Sequence, residues 1–114
     1  SVSKKPFQLL REGAETFEQR NKVYGDNYTR VGKALAALLP GGVTLKTPDD
    51  HNRFQIFNLI VVKLSRYCVN WKDGHQDSIH DAMVYCAMLE AIDDEIYERQ
   101  KENFSLTLKE VTGL

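Results

Sequence analysis

The chain has 114 residues, 42% hydrophobic and 27% charged, with a formal net charge of -1. That length fits one domain with a modest core, and the composition is that of an ordinary soluble protein. The charge supplies no bulk drive towards nucleic acid or an anionic membrane, and no apolar run approaches the roughly 20 residues of a membrane span.

The stretch Ser1 to Lys5 is polar and does not read as a signal peptide. Ser3 is placed to cap a first helix running to Asn21 or Lys22. Phe7, Leu10, Ala14 and Phe17 form its apolar stripe, a narrow face like a bundle seam. Arg11, Glu15, Glu18 and Arg20 make a solvated side. Tyr24-Gly25-Asp26 ends this helix, because Gly25 can terminate it and Asp26 can cap its successor. A second helix runs from about Asn27 to Leu39, with Tyr28, Val31, Ala34, Leu35 and Leu38 inward, until Pro40-Gly41-Gly42 stops it. Val43-Thr44-Leu45 alternates briefly, as a short extended piece would.

A central antiparallel hairpin comes next, about 48–70 and 77–100. Thr47 caps, Pro48 suits the first helical position, and Asp49 and Asp50 sit at the positive end of the dipole. Phe54, Phe57, Val61, Leu64 and Cys68 make one stripe, and Ile56, Leu59 and Ile60 fall on the other side. A helix apolar on both sides is buried on both sides. The next helix repeats the pattern: Ile79, Ala82, Met83, Cys86 and Leu89 on one side, Val84 and Met88 opposite. Its period continues through Ile92 and Ile96 to about Lys101, over the acidic stretch Asp93–Glu98. The connection Trp71-Lys72-Asp73-Gly74-His75 is short, which favours antiparallel neighbours. The fold class is all-α, a four-helix bundle-like domain over 1–101 with a C-terminal arm over 102–114. In that arm Phe104-Ser105-Leu106-Thr107-Leu108 alternates, as one strand or an extended docking arm would. Cys68 and Cys86 both fall on core stripes, roughly 12 Å apart along the hairpin axis, so they read as buried, unbridged thiols in a reducing cytoplasm.

Candidate chemistry is sparse. Ser65, Ser78 and the cysteines lack a nucleophile elbow, although His51, His75 and His80 are available as bases. His75, Asp77, His80 and Asp81 are weak metal candidates that match no standard zinc spacing; His75 and Asp77 serve equally as helix caps. No phosphate loop is present, and aromatic residues do not interleave with a basic run, so no nucleic-acid partner is expected. What remains is the set Lys63, Arg66, Asp77 and Asp81, flanked by Tyr67, Asn70, Trp71, His80 and Tyr85. In the hairpin register Arg66 comes level with His80 and Asp81, with Lys63 one turn away. The set can be a pair of partly buried salt bridges that lock the register. It can also be a ligand pocket of Lys63, Arg66, Tyr67, Asn70, Trp71, His80, Asp81 and Tyr85, with cations for phosphate or carboxylate and rings to stack.

The ordered motifs Asn21-x-x-Tyr24-Gly25-Asp26, Pro48-Asp49-Asp50, Lys63-Leu64-x-Arg66 and His75-x-Asp77-Ser78-x-x-Asp81-x-x-Val84-Tyr85 resemble small all-helical bacteriophage proteins of unknown function. They are similar to the phage nucleotide-modification-associated helical domain. The resemblance covers about residues 18–92 and implies an accessory role in nucleotide metabolism or in dealing with the host. A fainter likeness joins the core to all-helical nucleoside triphosphate pyrophosphohydrolases, whose four carboxylates hold magnesium against a polyphosphate. Asp77 and Asp81 stand near the second acidic pair, but Lys63 and Arg66 occupy the first with the wrong sign.

The leading expectation is a non-enzymatic, oligomeric phage protein in the host cytoplasm, binding a small anionic ligand such as a nucleotide or a nucleotide-derived signal. It carries no cofactor. Two-sided burial in both central helices calls for a homo-oligomer, a dimer or higher. The alternatives are a helical module that grips a host protein through Phe104–Leu108 and Asp93–Glu98, and a metal-dependent pyrophosphohydrolase-like enzyme.

Overall fold

The computed structural model describes residues 3–114, so Ser1 and Val2 of the polar N-terminal stretch lie outside it. The described residues form four helices and no strand: α1 (Pro6–Tyr24), α2 (Asn27–Leu38), α3 (Pro48–Val69) and α4 (Gln76–Thr112). The architecture is the expected all-α one, with α3 and α4 packed together over much of their length, α2 laid on α3, and α1 only lightly attached.

Each boundary has a local cause. α1 starts at Pro6 rather than after Ser3. The proline ring drives Lys5 into extended backbone (φ -78°, ψ 155°). The Lys5 amide then donates to Gln8 Oε1 at 2.7 Å. Gly25 turns the chain between α1 and α2 at φ 60° and ψ -150°, which a side chain would not tolerate. α3 opens on a reciprocal cap: Asp50 N donates to Thr47 Oγ1 at 3.1 Å, and Thr47 N to Asp50 Oδ2 at 3.1 Å. The Lys46 amide donates to the same carboxylate at 3.0 Å. These amides, first that of Lys46 and then that of Thr47, hold the Asp50 carboxyl below its usual range. Val43–Leu45 forms no strand and runs as an irregular connection.

Three ion pairs set the antiparallel register of α3 and α4: Lys63–Asp81 at 3.0 Å, Arg53–Asp93 at 2.7 Å and Arg99–Asp49 at 2.9 Å. Exposed pairs such as Arg53–Asp93 and Arg99–Asp49 contribute about 0–1 kcal/mol each, so they choose a register more than they stabilise the fold. Stability comes from a thin seam. Ile56, Ile60 and Val61 of α3 and Ala82 of α4 are its buried apolar residues, and Ser78, 1% exposed, is the most deeply enclosed side chain in it. Small residues at 78 and 82 let the two helices approach closely.

Several expected inward faces are uncovered. Phe7, Leu10 and Phe17 of α1 are exposed, and no α1 residue is buried. Tyr28 and Leu38 of α2 are exposed, whereas Val31, Ala34 and Leu35 are half-buried. Cys68 and Cys86 are free and exposed, not core thiols; Val61 and Ala82 of their stripes lie in the seam, but Leu64 and Met83 beside the thiols are already exposed. The C-terminal arm is neither strand nor extended chain. α4 continues unbroken through it to Thr112, and every residue beyond Gln100 is exposed. The radius of gyration is 20.8 Å, against about 13 Å for a compact domain of this length.

Candidate functional site

The expected charged quartet divides in two. Lys63, with a side chain only 17% exposed, pairs with Asp81 and stays in the hairpin seam. Arg66 leaves the acids and turns to the other side of α3. Its guanidinium lies 4.7 Å over the ring of Tyr24, at the end of α1. Arg66 Nε is buried and has no hydrogen-bond partner among the described residues. Asp77 is exposed and joins no ion pair among them.

The remaining expected site residues scatter. Asn70 terminates α3, and its Nδ2 donates to the Arg66 carbonyl at 3.2 Å. Tyr67 meets Trp71 edge-on at 5.9 Å; Trp71 is exposed. Tyr67 also lies along Gly74, where φ is 73°. Tyr85 is half-buried, and His80 is exposed beside a shallow cleft with Gln76, Asp77, Ile79 and Met83. His75 begins α4. Its Nδ1 shares a hydrogen bond of 2.6 Å with Ser78 Oγ, and its ring stands edge-on to Tyr24 at 6.1 Å. The four weak metal candidates therefore do not converge; among the described residues no three His, Cys, Asp or Glu side chains form a metal-ligating group.

What the structure brings together instead is a recess of about 660 Å³ between α1, α2 and α3. Arg66 sits in its wall with Tyr24, Asn21, Asn27 and Asn58; Arg20, Phe17 and Tyr28 also line it. Phe17 and Tyr28 pack edge-on at 5.8 Å. Asn27, the N-terminal residue of α2, is buried and accepts a hydrogen bond from Ser65 Oγ of α3. The Asn21 amide, with its nitrogen towards the loop, donates to the Gly25 carbonyl and, at 3.2 Å, to Asp26 Oδ1. Family models, characterised proteins and solved structures offer no match to this chain.

The sequence carries a signal for this recess in Asn21-x-x-Tyr24-Gly25-Asp26, a motif that marks a resemblance but does not by itself point to a ligand. Three- and four-residue spacing puts Asn21 and Tyr24 on one face of α1. The glycine turn then folds Asn27 and Tyr28 back beside them. Chemically the recess offers two guanidinium groups, amides that donate and accept, and aromatic faces. That combination suits a flat, anionic molecule.

Proposed function

We propose that the chain is a non-enzymatic phage accessory protein that acts as an oligomer in the host cytoplasm. It binds a small anionic ligand, a nucleotide or nucleotide-derived signal, in the recess beside Arg66. The observation that carries this reading is the unpartnered Arg66 Nε. A buried donor without an acceptor costs about 1–3 kcal/mol, and a phosphate or carboxylate oxygen would remove that cost once the guanidinium turns to present Nε to the recess. Among the described residues Arg66 has no acid of its own to neutralise it, whereas Lys63 has Asp81. The stacking face of Tyr24 and the amides of Asn21, Asn27 and Asn58 supply contacts for a ring and its polar edge. The phage origin rests on the motif resemblance alone. Hydrolysis on the pyrophosphohydrolase pattern is disfavoured by the donor set, since Asp81 is engaged by Lys63 and Asp77 stands apart.

Isothermal titration with a panel of nucleotides and cyclic dinucleotides tests the proposal. Binding should weaken roughly tenfold to a hundredfold in Arg66→Ala, the worth of one charge-assisted hydrogen bond. Lys63→Ala should leave it within about twofold, because that ammonium is already paired. Absence of heat with every member of the panel, together with unchanged melting temperatures, would remove the proposal's support.

A further inference from the structure

α4 presents a second face that neither α3 nor the recess uses. Ser78 and Ala82 turn towards α3. About a quarter of a turn away, Ile79, Met83 and Cys86 form an apolar group at the start of α4, and all three are exposed. On the same face, Phe104, Leu108 and Val111 form a second group at its end, exposed by 70%, 50% and 80%. Between the two groups the stripe carries exposed Tyr97, Asp93, which is held by Arg53, and two further charges, Glu90 and Lys101. Neither has an ion-pair partner among the described residues.

We propose that two copies of the chain associate through this face, with their α4 helices antiparallel about a two-fold axis near Glu95 and Ile96. The inference rests on the oligomeric reading above and names its surface. Surface area is the first argument. The chain exposes 9263 Å². A compact 13.1 kDa monomer exposes roughly 6,400 Å². The surplus, roughly 2,900 Å² per copy and so roughly 5,800 Å² for a pair, is enough to supply the roughly 2,000–5,000 Å² in total that obligate dimers bury.

Charge is the second argument, and it selects the orientation. With the helices antiparallel, Met83 meets Leu108 of the second copy, Cys86 meets Phe104, and Glu90 meets Lys101. Each apolar group then covers the other, and Glu90 and Lys101 each face their opposite. With the helices parallel, Glu90 would face Glu90 and Lys101 would face Lys101, which is repulsive. Because the contact is isologous, every pairing occurs twice. The arm of one copy thereby lies along the hairpin of the other.

Sedimentation equilibrium of the full chain, with thiols reduced, should give about twice 13.1 kDa. Glu90→Lys should weaken dimerisation about fivefold to tenfold, and Glu90→Lys with Lys101→Glu should restore it to within about twofold. Cys68→Ser with Phe104→Cys should oxidise to a covalent dimer whose peptide map joins positions 86 and 104. Those positions are roughly 27 Å apart on one helix and cannot bridge within a chain. Met83→Cys with Leu108→Cys, in a chain lacking both native thiols, repeats the test without the Phe104 substitution. A dimer that ignores Glu90→Lys and forms neither cross-link overturns this interface while leaving the oligomeric reading standing. An 86-to-86 cross-link in Cys68→Ser overturns the antiparallel arrangement. A monomer at about 100 µM, with or without a host protein seated on α4, overturns both.

Discussion

The two parts of α4 both carry apolar side chains but have different surroundings. From Gln76 to Arg99 the helix lies along α3, and its inward positions are small or aliphatic apart from Tyr85: Ser78, Ala82, Leu89, Ile92 and Ile96. From Lys101 to Thr112 every residue is exposed, yet Phe104, Leu106 and Leu108 are as apolar as anything in the first part. An isolated helical segment of that length is marginal in water. Apolar content therefore decides that a surface must be covered, and the partner available decides whether it is.

Damage to the seam should separate the halves most sharply. Ile60→Ala, at a site 8% exposed, should cost about 2–4 kcal/mol in urea unfolding, because so little other interior exists to compensate. A loss under about 1 kcal/mol would mean that the hairpin is not the stable half. Acid should act next, through the start of α3. The Asp50 carboxyl is held below its ordinary value of 3.8 by the Lys46 and Thr47 amides, with a smaller contribution from Arg53. Its stabilising contribution is complete above the unfolded value and fades as pH falls through the folded one. Asp50→Asn should flatten that part of a stability profile recorded between about pH 5 and pH 2. A profile identical to the parent's would show the cap to be dispensable. The gentlest comparison is hydrogen exchange. Amides of residues 102–112 should gain protection as protein concentration rises, while those of Ile56–Val61 stay slow throughout. Equal protection in both segments at every concentration would erase the distinction.

Much of the fold was legible because the chain is well punctuated. Thr47-Pro48-Asp49-Asp50 placed the start of α3, and Gly25-Asp26 and Pro40-Gly41-Gly42 bounded α2 to within a residue. The arm was misread because Phe104–Leu108 alternates with period two. Alternation cannot start a strand where no breaker ends the preceding helix, and none occurs before Gly113. Cys68 and Cys86 were misassigned for a related reason. Periodicity reveals a stripe but not whether the same chain covers it. The site was half legible. Spacing put Lys63 and Arg66 on one side of α3, but the expected register set Arg66 level with Asp81, whereas Lys63, one turn away, is the residue that takes that acid. Nothing in the spacing said that α1 would end beside Arg66 with an aromatic ring, and that contact turns the guanidinium away from Asp81.

Ser78 has a wider consequence. In a molecule with almost no interior it is enclosed to 1% exposure and shares a hydrogen bond with His75, so bulk at that point would wedge the main helices apart. Position 78 should thus tolerate less evolutionary drift than any of the charged positions. A profile built to detect distant kin should weight the pair Ser78 and Ala82 above the basic and acidic motif.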